Sequence, residues 1–213
     1  MTNEQKLKIR EINNKIIEAK AYKFNAWLPV LETPKVRSLE EVKARMSIMN
    51  ALINISFDAP ITIIRKWIDK NGFNNYLSNW ENEILLKDND ELTEREFNSL
   101  RWYLEGLWAL MWATDMIKTL DETQWCGDDM ASLLPNLEQS EDNSKIEKLT
   151  ILKSDEDIYT MLDFYYRLHW YCVDERINGK QAKINEGIVY ERRRALEWLM
   201  DKKSNWDDIE MST

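Results

Sequence analysis

The chain has 213 residues, enough for one large domain at the usual scale of roughly 100–200 residues per domain. Hydrophobic residues make up 44% and charged residues 31%, a balance too apolar for a disordered chain, and only five glycines and four prolines argue against a turn-rich all-β architecture. The net charge of −9 leaves no basic face to neutralise phosphates, so neither nucleic acid nor an anionic membrane is predicted as a partner.

The first predicted element is an amphipathic helix within residues 4–27. Its apolar residues recur at helical spacing and are expected to face the core: Ile9, Ile12, Ile16, Phe24 and Trp27. A connector follows from Leu28 to Pro34. We therefore expect residues 1–34 to form an N-terminal helix and connector, and residues 35–213 to form the remaining helical part of one domain.

Local start signals predict four more helices. Three of the signals are a small polar residue that precedes a glutamate by three positions: Ser38 with Glu41, Ser78 with Glu81, and Thr93 with Glu96. The fourth is Pro60, which suits the first turn of a helix. The helix after Thr93 runs to about Lys118 and is apolar on nearly every side. This pattern predicts the central helix of a bundle.

A long acidic loop separates this helix from the last two. From Asp121 to Asp157 there are eleven acidic residues and three lysines, which gives −8 of the total −9. Helices are predicted from Ser154 to about Ile177 and from about Glu186 to Lys203, and Trp206 begins a C-terminal tail. The sequence predicts an all-α, compact single-domain helical bundle of six to seven helices, with the acidic loop before the last two.

Several kinds of chemistry find no support in the sequence. There is no glycine-rich phosphate-binding motif and no nucleophile elbow, and His169 is the only histidine, which excludes a multi-histidine metal centre. We therefore predict no cofactor and no metal. Cys126 and Cys172 are far apart and lack CxxC spacing, and the start of the chain does not resemble a signal peptide. Free thiols and a cytoplasmic location are expected.

Charged residues occur at positions of the helices where apolar residues are expected. They are Glu105, His169, Arg176 and Arg192. Arg167 and Glu191 lie close to them along the chain, and the candidate cluster consists of Glu105, Arg167, His169, Glu191 and Arg192. Unpaired burial of such groups would cost several kcal/mol each, so they must meet one another or line a cleft. One interpretation is an interhelical salt-bridge network, for instance Glu105 with Arg192 or Arg167. The other is a cleft suited to binding an anion or to acid–base catalysis at His169.

The acidic loop supplies a second set of candidate residues. A concentrated negative field accelerates encounter with a positive surface, so a basic protein is the natural partner. The residues expected to contact it are Asp128, Asp129, Glu138, Glu141 and Asp142. The alternative is a solvated surface loop whose charge only maintains solubility.

Several sequence motifs resemble one family of bacterial proteins. They are Arg37-Ser38-Leu39-Glu40-Glu41-Val42 with Arg45, the stretch Trp102 to Trp112, Tyr165-Tyr166-Arg167-Leu168-His169-Trp170, Asp174-Glu175-Arg176, Val189 to Leu199, and Trp206-Asp207-Asp208. In this order they are similar to a family defined only as a domain of unknown function, family 4272. The resemblance covers about residues 35–213.

The resemblance implies no settled activity and no catalytic residue. It marks seven signature positions: Glu105, Arg167, His169, Asp174, Arg176, Glu191 and Arg192. Two departures stand out, because Thr114-Asp115 occupies the place of an expected Leu-Gly pair and Ser212-Thr213 that of an expected Asp-Thr end.

Three hypotheses about function remain open. The first is a cytosolic, non-enzymatic protein-binding module, of the kind that neutralises a toxin as an immunity protein or antitoxin does, which engages a basic partner through its acidic loop. The second is an enzyme or anion-binding protein that uses the Glu/Arg/His cluster. The third is an architectural subunit, which an exposed Trp/Leu patch would indicate.

Overall fold

The computed structural model describes residues 1–32 and 35–213, and the regular secondary structure of these residues is helical. The helices are α1 (Asn3–Ala19), α2 (Leu39–Ile55), α3 (Ile61–Lys70), α4 (Asn79–Leu86), α5 (Glu94–Ala113), α6 (Met130–Leu133), α7 (Ser144–Glu147), α8 (Asp155–Ile177) and α9 (Glu186–Met200). Seven of these have eight or more residues, and the described ranges contain no β-strand. The predicted all-α, single-domain fold is confirmed.

Side-chain caps start most of the long helices. Ser38, Ser78 and Thr93 each accept a hydrogen bond from the backbone N–H three residues on, and the glutamate at that position bonds back to the cap. Ser154 likewise accepts from the Asp157 N–H. Each such cap stabilises its helix by about 1 kcal/mol, which explains why the predicted start sites are correct.

The long helices pack in a row in which α5 and α9 are central. Helix α1 lies against α8, α8 against α9, α9 against α5, and α5 against α2, while α3 and α4 extend the row beyond α2. Gly106 of α5 faces both neighbours: a Cβ at this position would lie 3.0 Å from Met49 Cε of α2, a tight contact, and 3.6 Å from the Glu191 carbonyl of α9, an ordinary one. The prediction that the helix after Thr93 is central is correct.

Helix α1 faces the core with a different side than predicted. It ends at Ala19, and Ala21 follows in the left-handed region with φ 56°. Its buried residues are Lys6, Ile9, Asn13 and Ile17. The predicted core residues Ile12, Ile16 and Trp27 are exposed. The apolar pattern is misleading because the contact with α8 is partly polar: the Asn13 amide donates to the Thr160 carbonyl and to Asp163.

The central helix ends five residues earlier than predicted. It stops at Ala113, and Asp115 adopts φ 61°, the left-handed conformation that normally favours glycine. The Met116 N–H then bonds back to the Met111 carbonyl, which closes the helix end. Asp115 thus occupies the place where the family resemblance led us to expect a glycine.

The C-terminal segment is part of the core rather than a tail. The side chain of Trp206 is completely buried, and its ring lies edge-on to those of Tyr103 and Trp198. The guanidinium carbons of Arg45 and Arg194 lie 4.9 and 4.8 Å from its ring centre. The aromatic and cation–π contacts therefore hold the end of the chain between α2, α5 and α9.

The boundary suggested between residues 34 and 35 lies next to Thr33 and Pro34, which are outside the described residues. No helix in the described ranges is long and apolar enough to cross a membrane.

Candidate functional site

Of the predicted charged cluster, the structure brings together Glu105 and Arg192. The Arg192 Nε and Nη2 atoms lie 2.9 and 2.7 Å from Glu105 Oε2, and both side chains are almost completely buried. Arg192 also donates to the Tyr165 hydroxyl and to the carbonyls of Asp121 and Gln124. Each of the three guanidinium nitrogens thus donates at least one hydrogen bond within the protein.

This buried pair fixes the start of the acidic segment, which we define as residues 121–157. Two carbonyls of the segment accept from Arg192, and the other Glu105 oxygen accepts from the Cys126 N–H at 2.9 Å. Helix α2 holds the segment further along. There the Asn50 amide donates to the Pro135 carbonyl, and the Ser47 hydroxyl pairs with the Asn143 amide.

Arg167 belongs to a separate network that faces α1. Its Nε and Nη2 atoms form a bidentate pair with Asp163 at 2.8 and 2.7 Å, and both side chains are buried. Asn13 donates to the same carboxylate, and Asn14 accepts from Arg167 Nη1. The alternative pairing of Glu105 with Arg167 is therefore wrong.

His169 lies in a third environment, near the C-terminus of the chain. Its Nδ1 atom is 2.7 Å from Arg193 Nη1, and the ring packs edge-on to Tyr190. Burial, and next the nearby Arg193 charge, lower the pKa of His169 from 6.5 to about 4. The imidazole is therefore neutral at pH 7 and accepts a hydrogen bond from Arg193.

Glu191 faces a cavity of about 300 Å³, which we call the Glu191 cavity. Its Oε2 atom is buried without a hydrogen bond, and the nearest cationic group is Arg194 Nη1 at 3.8 Å. Burial raises the pKa of Glu191 to about 7, because it penalises the ionised form more than Arg194 favours it. The five cluster residues thus occupy four separate places and do not form one cleft.

The predicted partner-binding carboxylates differ in how much the protein uses them. Glu141 accepts from the Asn136 N–H and pairs with Lys145, and Asp142 accepts from the Ser144 N–H. These local bonds lower the pKa of both groups.

Asp128, Asp129 and Glu138 are exposed instead. Within residues 1–32 and 35–213, none of them has a salt-bridge partner. Their charges are available to a partner.

Two of these three carboxylates line the largest cavity described, of about 480 Å³. Its wall is formed by α2, α5 and the acidic segment, and most of its side chains are apolar: Ile53, Phe57, Leu104, Met130, Ala131, Leu134 and Pro135. Asp128 and Glu138 lie in the same wall. We call this the acidic-rim pocket.

The described residues offer little for metal or nucleophilic chemistry. No group of three or more His, Cys, Asp or Glu side chains is placed to hold a metal ion. Both cysteines are free. Cys126 lines the acidic-rim pocket, where burial and the neighbouring Glu105 raise the pKa of its thiol to about 11, so it is protonated at pH 7. Cys172 is buried in the core.

Sequence reasoning missed both pockets and the role of Arg194. Arg194 donates to the Trp206 carbonyl and lines the Glu191 cavity with Asp207. These two residues lie in quoted motifs, Val189 to Leu199 and Trp206-Asp207-Asp208. The convergence of these motifs on one cavity becomes visible only when Trp206 is placed in the core.

The structure is thus that of an all-helical single-domain protein, in which the exposed carboxylates of the acidic segment lie at one pocket and Glu191 lies at another. The family profile described as "Domain of unknown function (DUF4272)" matches residues 10–209, so the chain belongs to this family. The match begins inside α1, earlier than the resemblance from residue 35 suggested. Neither a curated protein nor a solved structure matches the chain.

Proposed function

We propose that this protein is a non-enzymatic binding module whose acidic segment engages a basic polypeptide at the acidic-rim pocket. The observation that carries the proposal is the position of Asp128 and Glu138 in the wall of an otherwise largely apolar pocket of about 480 Å³. Such a pocket suits an apolar anchor side chain that is flanked by lysine or arginine.

The charges around the pocket favour a cation. Asp128, Asp129 and Glu138 are exposed carboxylates that lack a salt bridge among the described residues. Two cations lie beside the pocket, and both are engaged within the protein. Arg101 lies 5.1 Å from the Phe57 ring centre, and its Nη2 atom donates to the Ser56 carbonyl. Lys145 donates to the Leu134 carbonyl and pairs with Glu141. The local balance remains negative, and the segment as a whole carries −8.

The pocket also has an apolar surface that a partner could cover. Phe57 lines it and is 60% exposed. Burying a phenylalanine side chain stabilises an interface by roughly 1.5–3 kcal/mol. Aromatic residues are enriched among the residues that dominate binding energy. The apolar wall would supply affinity, and the carboxylates would supply association rate and selectivity.

The acidic segment is held in place before any partner arrives. Arg192 and Glu105 fix its start, and Asn50 and Ser47 hold its middle. A prearranged surface avoids part of the ordering cost that a mobile loop pays on binding. This supports recognition by a fixed surface, as expected of an immunity or antitoxin-type protein.

The alternative, an enzyme or anion-binding protein built on the Glu/Arg/His cluster, has less support. Arg192 is buried and each of its nitrogens already donates a hydrogen bond within the protein, and His169 lies in a different place from Glu105. The pKa of His169, about 4, makes it a poor general base near pH 7.

A display library of short random peptides tests the proposal. Selection on the wild-type protein should enrich peptides with lysine or arginine on both sides of a bulky apolar residue. Individual peptides should lose roughly tenfold in affinity when salt is raised from low to physiological concentration and above. The Asp128→Lys/Asp129→Lys/Glu138→Lys variant should lose most of the binding.

The matched control reverses three carboxylates away from the pocket. Glu4, Glu11 and Glu18 are exposed on α1 and also lack a salt-bridge partner among the described residues. Their reversal to lysine changes the net charge by the same amount, so it should leave peptide affinity nearly unchanged. Enrichment of neutral or acidic peptides, or equal losses in both variants, would refute the proposal.

A further inference from the structure

The Glu191 cavity is independent of the acidic-rim pocket. It lies where α4, α5, α9 and the C-terminal segment meet, and its volume of about 300 Å³ is at the lower end of the range for small-molecule sites. The residues that line it are Trp80, Ser99, Trp102, Tyr103, Glu191, Arg194 and Asp207. Three aromatic rings and four polar side chains therefore surround a space suited to a single ring.

The carboxyl group of Glu191 is largely buried, but one of its oxygens has no hydrogen-bond partner. Its side chain is 13% exposed, and its Oε2 atom is buried without a hydrogen bond. A buried, unsatisfied oxygen costs about 1–3 kcal/mol, and native proteins contain few of them. Glu191 lines the cavity, and the 13% of its side chain that remains exposed is the part that a bound molecule with a hydroxyl group can contact.

The other polar groups are held in place by the protein. Arg194 is fixed by its bond to the Trp206 carbonyl and by stacking on the Trp206 ring. Asp207 accepts from the Trp80 N–H at 2.9 Å, near the start of α4. These contacts place a guanidinium and a carboxylate in the same wall before a ligand enters.

The charges of the cavity cancel approximately. Arg194 carries a positive charge and Asp207 a negative one, and burial, which raises the pKa of Glu191 to about 7, weakens the negative charge of Glu191 near neutral pH. Neither a strong anion nor a strong cation gains a clear electrostatic advantage here. The cavity therefore suits a neutral ligand that carries several hydrogen-bonding groups.

The aromatic side chains define the shape of the ligand. Trp102 packs closely on Gly187, where a Cβ would lie 2.4 Å from the indole ring, so the ring position depends on glycine. Trp125 lies against Trp102 with ring centres 5.6 Å apart. Trp80 and Tyr103 complete the aromatic wall, with ring centres 6.1 Å apart. Such rings bind flat molecules with an apolar face.

We propose that the Glu191 cavity binds a neutral sugar. A pyranose ring offers an apolar face to the indoles and neighbouring hydroxyl groups to Glu191, Arg194 and Asp207. Carboxyl and guanidinium groups can each form two hydrogen bonds with such adjacent hydroxyls. A single ring in a cavity of this size binds with millimolar affinity.

Protein labelled with ¹⁵N at tryptophan allows a direct test by nuclear magnetic resonance. The probes are methyl α-D-glucopyranoside, methyl β-D-galactopyranoside and N-acetyl-D-glucosamine, compared with inorganic phosphate, tetramethylammonium and adenosine. At least one of the sugars should shift the indole N–H signals of Trp80 and Trp102 with saturable, millimolar dependence. The signal of Trp27, which is 91% exposed and does not line the cavity, should not move.

Two variants locate the binding site. Glu191→Ala should weaken sugar binding about tenfold, the effect of losing one strong hydrogen bond. Ser99→Phe should abolish it by filling the cavity from the surface of α5, with Glu191 intact. Trp27→Ala is the matched control and should bind like wild type. If Glu191→Ala does not fold, Ser99→Phe alone decides the location.

The proposal is overturned if none of the three sugars shifts the two indole signals. It is also overturned if phosphate, tetramethylammonium or adenosine shifts them while the sugars do not, or if Ser99→Phe still binds the sugar. Failure here would leave the peptide selection on the acidic-rim pocket unaffected, because the two sites share no lining residue.

Discussion

Arg192 and Arg194 are two residues apart on α9, and they differ in how completely the protein satisfies them. Arg192 donates four hydrogen bonds, to Glu105, Tyr165 and two carbonyls, so that each of its three nitrogens has a partner. Arg194 donates to the Trp206 carbonyl and lies 3.8 Å from Glu191, whose buried oxygen has no hydrogen bond. The comparison suggests how scaffold and binding site can be distinguished: a completed network fixes the fold, and an incomplete one leaves donors and acceptors for a ligand.

The largest expected effect comes from breaking the completed network. We expect Arg192→Ala to lower the free energy of unfolding by about 3–5 kcal/mol, because it leaves Glu105 buried without its partner. The start of the acidic segment should also loosen. Urea denaturation measures the first effect, and hydrogen exchange of the amides of residues 121–126 measures the second.

Arg176→Ala is the matched control for that variant. Arg176 pairs with Glu186, but its side chain is 62% exposed, so its loss should cost less than about 1 kcal/mol. Similar losses in the two variants would contradict the distinction between the buried and the exposed pair.

In the incomplete network, the carboxyl group of Glu191 should make the stability of the protein depend on pH. The folded protein binds the Glu191 proton more tightly than the unfolded chain, because burial raises its pKa from 4.5 to about 7. Stability from this group is fully present below about pH 4.5 and is lost as the pH rises through about 7. Arg194 opposes the shift and Glu105 supports it, while Asp207 lies in the wall of the same cavity.

Glu191→Gln removes this titration while keeping nearly the same shape. We therefore expect the variant to be more stable than wild type at pH 8, by up to roughly 3 kcal/mol, and to resemble wild type near pH 4.5. Thermal or urea denaturation across this range measures the difference. A difference that does not change with pH would show that the carboxyl is solvated rather than buried.

His169 should change the free energy of unfolding with pH in the opposite direction to Glu191. Its folded pKa is lowered from 6.5 to about 4, so the unfolded chain takes up its proton first. Stability from this group is present above about pH 6.5 and is lost as the pH falls towards 4. We expect a smaller effect, about 2 kcal/mol, because Arg193 reaches the terminal carbonyls of Met211 and Ser212, and a chain end can open locally.

His169→Gln is the variant that measures this contribution. Its stability should fall less than that of wild type between pH 6.5 and pH 4, in a denaturation series at constant ionic strength. Equal slopes for the two proteins would show that the imidazole takes up its proton as readily in the folded state as in the unfolded chain, so that burial does not lower its pKa.

These comparisons also show how far the sequence could predict the molecule. Helix starts were predictable because capping by residues such as Ser38 and Thr93 is local. The pairing of Glu105 with Arg192 was one of two alternatives, since Arg192 was expected on the inward face of its helix and Arg167 close to the inward face of the preceding one. The separation of Arg167 from Glu105 was not predictable, because it depends on a polar contact between α1 and α8 in which Asp163 takes part.

The cavities were beyond sequence reasoning for a different reason. The Glu191 cavity exists because the C-terminal segment folds back into the core, where the ring of Trp206 contacts Tyr103 of α5 and Trp198 of α9. The contact with Tyr103 joins residues that are distant along the chain, and no local pattern around Trp206 encodes it. A tail was therefore predicted where the structure has one wall of a cavity.

The smallest effect on stability is expected at Asp115, whose ion pairs are partly exposed, unlike the buried pair of Glu105 and Arg192. Asp115 closes α5 in a left-handed conformation, and its carboxylate pairs with Lys118 and Lys153 at 2.7 and 3.1 Å. Both lysines lower the pKa of Asp115, Lys118 more than Lys153. The pairs are partly exposed, so they contribute little and weaken as salt is added.

Asp115→Gly therefore sets two small effects against each other. Glycine adopts the left-handed conformation without steric cost, which favours the variant, and the loss of two ion pairs opposes this gain. We expect the variant to melt within about 2 °C of wild type at low salt and to become the more stable protein at high salt, where the ion pairs are screened. Thermal denaturation at the two salt concentrations measures the change. If added salt instead raised the melting temperature of wild type relative to that of the variant, the ion pairs of Asp115 would not be screened by salt. They would then not differ in this respect from the buried pair of Glu105 and Arg192.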